Sequence, residues 1–112
     1  MIDRLLFDAV GFANHSLPEC IGRYTHGRIP VHIAVHDIDV DTEIDEYCDY
    51  HKHDDADELN IIIGELTFDI VVDGVSETVS GMSTVWIPAG VYHSANVIDG
   101  NGYFVCLRFP KT

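Results

Sequence analysis

Short apolar segments recur along this chain with turn residues between them, and where the pattern is cleanest its period is two. Val31, Ile33 and Val35 recur at every second position and predict a strand that ends near Asp41. Further strands are predicted through Tyr47 to His53, Leu59 to Ile63, and Leu66, Phe68, Ile70 and Val72. Asp73-Gly74 predicts a tight hairpin into Val75 to Val79, because both residues tolerate positive φ. A short strand from Val85 to Ile87 should stop at Pro88, which has no N–H to continue a ladder. The next begins at His93, and Asp99-Gly100-Asn101-Gly102 is expected to turn it into a last strand from Tyr103 to Phe109. Roughly eight strands with no internal repeat make an all-β sandwich or barrel.

The first thirty residues read differently. Ile2, Leu5, Leu6, Ala9 and Val10 have helical spacing, so residues 2–10 are expected to form a short helix or an edge strand. Residues 11–29, with Gly11, Pro18, Gly22 and Gly27, read as an irregular arm. The expected organisation is an N-terminal arm over residues 1–30 and a β-domain over 31–112.

Composition narrows the function classes. Nineteen carboxylates against six lysines and arginines leave a formal charge of −13, a surface that repels a phosphate backbone and argues against nucleic-acid binding. The acids at 37, 39, 41, 43 and 45 alternate strictly, followed by Glu46 and Asp49, and read as a solvated strand face and turn. No apolar run approaches the ~20 residues that span a bilayer, and the charged N-terminus lacks a secretory pattern, so the expected location is the cytoplasm. Cys20, Cys48 and Cys106 cannot all pair within one chain and are expected to be reduced, with Cys48 facing away from any site near His51.

Candidate chemistry concentrates in two stretches. His51 and His53 are two residues apart; extended backbone projects both to the same side, whereas a helix would separate them by about 200°. Asp57 and Glu58 follow, and His93 comes after Pro88-Ala89-Gly90. Three imidazoles and one carboxylate would hold a first-row divalent ion, Fe, Mn, Ni, Zn or Cu, with one or two positions open.

These stretches resemble the motifs of the cupin family, small jelly-roll β-barrels that hold a metal in the barrel mouth. The family's first motif is G(x)5HxH, three or four residues, E(x)6G; here His51-Lys52-His53 leads through Asp57-Glu58 to Gly64. Its second is G(x)5PxG(x)2H(x)3N; here Gly81 leads through Pro88-Ala89-Gly90 to His93 and Asn96. Asp45 stands where the first motif has its leading glycine, Gly81 is one residue further from Pro88 than the pattern, and Asn96 is one residue closer to His93. The carboxylate is ambiguous. Counting back from Gly64 reaches Asp57, and the apolar run Leu59, Ile61, Ile63 shares its phase, whereas reach and residue type favour Glu58.

The resemblance implies a cupin jelly-roll barrel and a metalloenzyme acting on a small oxygen-rich metabolite, of dioxygenase, decarboxylase, lyase or isomerase type. The sheet edges and apolar outer faces that such a barrel exposes predict a homodimer, with the arm of residues 1–30 contributing to the interface. A non-catalytic barrel that binds or senses a metal or small ligand is the alternative. Arg108 could pair with a substrate carboxylate, and Asn60 and Tyr92 are further catalytic candidates, with Tyr50, Phe68, Trp86 and Tyr103 as weaker pocket candidates. His15, His26, His32 and His36 lie outside both motifs and are expected at the surface or an interface.

Overall fold

The computed structural model describes residues 6–10, 18–27 and 30–111, and these are all-β. In chain order the strands are β1 (Asp8–Val10), β2 (Ile21–Thr25), β3 (His32–Val40), β4 (Ala56–Val72), β5 (Val75–Ser80), β6 (Ser83–Ile87) and β7 (His93–Pro110). All pairings are antiparallel, in the order β1-β2-β3-β7-β4-β5, with β6 on the free side of the first half of β4. Among the described residues no helix is long and apolar enough to cross a membrane.

Two long strands organise the barrel. β4 and β7 pair along almost their full lengths, from Ala56 opposite Pro110 to Val72 opposite His93, with one register shift between Thr67 and Phe68. The sequence predicts a break within each; the chain instead bends and continues. In β7 the expected turn at 99–102 is absent because Gly100 and Gly102, both at positive φ, pack their bare α-carbons against β4. A Cβ on Gly100 would lie 1.7 Å from the Glu65 carbonyl oxygen, and one on Gly102 would lie 2.1 Å from that of Ile63. The glycines therefore serve as a crease within the sheet, where backbone approaches backbone closely. The Asp73-Gly74 hairpin forms as predicted, with φ of 50° and 78° at its two residues.

The N-terminal segment differs from its expectation. Residues 21–25 are a strand, paired along β3 from Ile21 opposite Ile38 to Thr25 opposite Ala34, and β1 pairs with β2 in turn. Its alternation was masked because Arg23 and Thr25 occupy the inward positions where an apolar residue would signal a strand. Of residues 2–10, the part described from Asp8 is an edge strand; residues 1–5 lie outside the described set. Residues 47–53 do not form the predicted strand but an irregular segment bent at Cys48 and Tyr50, with one isolated backbone bridge to β7 between His51 and His93.

Register turns this topology into rows of inward side chains. Nearest the mouth, His32 pairs with Arg108, Arg108 with Glu58, and Glu58 with Ile87. The next row is Thr25, Ala34, Cys106 and Asn60, and the third is Arg23, His36, Phe104 and Ile62. Ile21 and Ile38 close the bottom, where the core of Ile62, Leu66, Phe68, Ile70, Val97 and Phe104 begins. Phe68 is fully buried and stacks on Phe104 with ring centroids 4.6 Å apart. Truncating such a ring to alanine typically costs about 3–5 kcal/mol, enough to endanger a domain of this size.

The outer face of the same sheet is also apolar, with Ile33, Leu107, Leu59 and Trp86 in one row and Val35, Val105 and Ile61 in the next. These side chains are half-buried or exposed, Trp86 by 53%. The run Leu59 to Ile63 thus has apolar residues on both faces, which is why its phase was unreadable from the sequence.

Candidate metal centre

The three motif histidines meet at the barrel mouth. One ring nitrogen from each of His51, His53 and His93 lies within 4.8 Å of the others. His51 and His93 exchange backbone hydrogen bonds of 2.9 and 2.7 Å, and the His53 carbonyl accepts from Gly90 N–H at 2.8 Å. The histidine segment is thereby tied to β7 and to the loop that precedes it. Gly90 has φ of +83°, so it is required for its backbone conformation; a Cβ there would meet nothing closer than Asp54 at 3.7 Å.

Hydrogen bonds orient two of the rings. His51 Nδ1 pairs with the Asp49 carbonyl at 2.5 Å, and His93 Nδ1 with the Val91 carbonyl at 2.9 Å. A carbonyl can only accept, so Nδ1 carries the proton and each Nε2 presents a lone pair. His93 Nε2 is buried without a hydrogen bond, 3.3 Å from a Glu58 carboxylate oxygen. The other Glu58 oxygen is 3.5 Å from His53 Nε2. Lone pairs thus face lone pairs across the mouth, an arrangement that needs a cation or an added proton between them. Burial disfavours charge on both partners, yet their mutual attraction outweighs it, holding His93 above the ordinary imidazole value and Glu58 below the ordinary carboxylate value. The donor set fits a divalent transition ion, with the Nδ1 bonds supplying the outer support such ligands require.

Asp57 and Glu58 point to opposite sides of β4. Glu58 is 5% exposed and faces the histidines. Asp57 faces outward, where it accepts from Ala89 N–H at 2.9 Å and meets Lys111 Nζ at 3.2 Å. Inward phase belongs to Glu58, Asn60 and Ile62, and the apolar trio that shares the phase of Asp57 faces out.

Asn96 performs a supporting task. Its buried side-chain oxygen accepts from the backbone N–H groups of Tyr47 and Cys48, each at 2.8 Å, and its amide donates to the Cys48 carbonyl at 3.1 Å. This holds the segment that delivers His51.

Behind the site opens a cavity of about 810 Å³. Arg108 and Asn60 line it. Arg108 Nη2 donates to His32 Nε2 at 3.0 Å, and its Nε lies 3.9 Å from Glu58. Asn60 is 1% exposed, with its side-chain oxygen lacking a hydrogen-bond partner. Tyr92 does not join them: it is exposed, stacked on Tyr50 with centroids 5.4 Å apart and with Lys52 over its ring. Tyr50, Trp86 and Tyr103 are likewise exposed, and Phe68 is core.

Two expectations about other residues fail. His32 and His36 face inward and line the cavity, because β3 supplies its inner wall; His36 is 5% exposed and its Nδ1 donates to the Phe104 carbonyl at 3.1 Å. His26 also lines the cavity, while His15 lies outside the described residues. Cys48 lines the cavity rather than facing away, since the segment before His51 is not a regular strand and strand phase does not carry back to it. All three cysteines are free thiols, and burial pushes Cys106, beside Glu58, up to about 12.

No family model matches the sequence, and no curated protein matches it either. Solved structures do match. An RmlC-like cupin from Shewanella frigidimarina superposes with a TM-score of 0.66 at 18% identity, over 94% of this chain and 85% of that one. The fold is that of the cupins. KdgF from Halomonas sp. gives a TM-score of 0.66 at 16% identity, over 92% of this chain and 94% of its own. The Fe(II) form of HppE gives 0.65 at 13% identity, over 97% of this chain and 60% of that one. At such identities the likeness establishes the barrel, and the three-histidine group fits a metal-binding cupin.

What the cupin motifs did not reveal is the second wall of the cavity. Arg23, Thr25, His32 and His36 come from β2 and β3, outside both motifs. The repeat of inward residues at 32, 34 and 36 was the available signal, and it becomes meaningful only once β3 is known to pair with the end of β7 that carries Arg108.

Proposed function

We propose that this cupin is a metalloenzyme acting on a small oxygen-rich metabolite, with His51, His53, His93 and Glu58 holding one divalent transition ion. The observation that carries the reading is the convergence of three imidazole nitrogens within 4.8 Å, faced by a buried carboxylate, at the mouth of a cavity large enough for a metabolite. Such an ion, when bound, polarises a coordinated oxygen and stabilises negative charge that develops on it. HppE is described in its Fe(II) form, which supports iron as one of the candidates alongside Mn, Ni, Zn and Cu.

The chain's own groups then divide the work. Arg108 orients an anionic group of the substrate beside Glu58. Asn60 offers a buried amide to a substrate hydroxyl or carbonyl from the middle row. Phe104 and Ala95 give the cavity an apolar side that excludes water from the reacting region. Dioxygenase, decarboxylase, lyase and isomerase reactions all fit these parts. Turnover that appears on metal reconstitution, and disappears with chelator and in a His51→Ala/His53→Ala variant, is the expected result. Ligand binding without turnover, in assays run both with and without oxygen, would leave a binding or sensing barrel instead.

The working form is proposed to be a homodimer in the cytoplasm, joined through the apolar outer face around Leu59, Leu107 and Trp86. Light scattering at micromolar concentration should give twice the chain mass; a monomer there overturns it.

A further inference from the structure

The wall opposite the histidines carries an unusual charge for this protein. The chain has only six lysines and arginines against nineteen carboxylates, yet two of the six, Arg23 and Arg108, line one cavity. They come from different strands, two rows apart on the inner face, and are near enough that each other's charge matters: Arg23 lies below the ordinary guanidinium value, through burial first and the charge of Arg108 second. His32 and His36 sit between and beside them on β3, both pushed down to about 4 by burial and by the neighbouring guanidinium charge, and therefore neutral at pH 7. His32 accepts from Arg108 Nη2, which fixes the plane of the guanidinium. Among the carboxylates lining the cavity, Glu58 belongs to the histidine site and also lies 3.9 Å from Arg108 Nε, and Asp8 and Asp49 are exposed.

Two guanidinium groups lining one half-buried cavity give its wall a positive potential that favours an anion placed there. Asn60, 1% exposed with its side-chain oxygen unpartnered, adds a polar contact to the cavity wall between the two rows that carry the arginines. We infer that the cavity takes a small molecule with two anionic oxygen groups, one held at the three-histidine site and the other on the wall formed by Arg23, Arg108 and His32. The inference rests on the metal reading above for the first of these contacts and is independent of it for the second. It makes Arg23 and Arg108 the residues that select the substrate class, and it resolves how so acidic a protein retains an anion: the attraction is local and inward, while the surface carboxylates face solvent and are screened by water and salt.

The test is calorimetric titration of malonate, with acetate and methyl malonate monoester as single-charge controls, in low-chloride buffer. It uses Zn(II)-loaded and metal-free wild type, Arg23→Gln, Arg108→Gln and the double variant. Zinc content is measured before and after each titration, and folding is checked by circular dichroism. The expected result is malonate binding to the loaded wild type at least about tenfold tighter than either control. Each single variant should weaken malonate about tenfold or more with zinc content unchanged, and the double variant should bind malonate no better than acetate. Folded, zinc-loaded variants that bind malonate as wild type does would overturn the arginine wall, as would malonate binding no tighter than acetate. If zinc fails to load but the metal-free protein still binds malonate in a manner sensitive to Arg23→Gln, the metal reading fails and the arginine wall stands.

Discussion

Glu58 and His93 face one another 3.3 Å apart with no hydrogen bond between them, while the far side of the His93 ring is committed to the Val91 carbonyl. Two buried lone-pair groups set in this way make a poor structural contact and a good ligand pair. Its neighbour Asp57 makes the opposite choice, spending its oxygens on Ala89 N–H and Lys111. Glu58→Gln is therefore expected to lower metal affinity at least about tenfold while leaving the fold intact. Asp57→Ala should retain full metal content and lower the melting temperature by a few degrees. Metal titration and thermal melts of the two variants check this, and the reverse assignment of effects would contradict it.

Asn96 is the support most exposed to disruption. Removing its amide leaves the N–H groups of Tyr47 and Cys48 and the Cys48 carbonyl without their partner in a half-buried segment. Asn96→Ala is expected to destabilise the domain by about 2–3 kcal/mol. It should also speed metal loss, because the segment that delivers His51 is loosened. Urea unfolding and the rate of metal transfer to a chelator measure the two effects; a variant unchanged in both would show that the segment holds itself.

Acid should unfold the protein in part through His36. Its folded value is pushed down to about 4, by burial and by the charge of Arg23 facing it, joined by that of His32 once that ring is itself protonated, against the Phe104 carbonyl, which favours the charged form. Between about pH 6.5 and 4 the unfolded chain binds a proton there that the folded chain does not, so stability falls as pH falls through that window. The size of the effect is roughly 3 kcal/mol. Proton NMR should place the His36 midpoint near 4, and His36→Gln should flatten the acid side of the stability profile. A midpoint near the unperturbed value of about 6.5 would contradict the buried, neutral assignment.

How much of this was legible in the sequence depends on how local each signal is. The spacing of His51 and His53, the Pro88-Ala89-Gly90 turn and the Asp73-Gly74 hairpin are encoded within a few residues, and each takes the form its local chemistry dictates. The continuity of β4 and β7 is not local. Gly64, Gly100 and Gly102 look like turn signals until their partners across the ladder are known, and only then do they become creases. Arg23, His32 and His36 are harder still. The period-two repeat at 32, 34 and 36 says that His32 and His36 share a face but not that the face is the inner one, and their shared cavity with Arg23 exists only because β2 and β3 extend the sheet that carries Arg108 and Glu58.

The measurement that tests the central claim most directly is the elemental metal content of protein purified without added metal or a nickel affinity step, beside a His51→Ala/His53→Ala variant. Close to one Fe, Mn, Ni, Cu or Zn per chain in the wild type, absent from the variant, is the predicted result. No metal in the wild type, even after incubation with each ion in turn, would contradict it and leave the buried Glu58–His93 pair as an ion pair held by a proton.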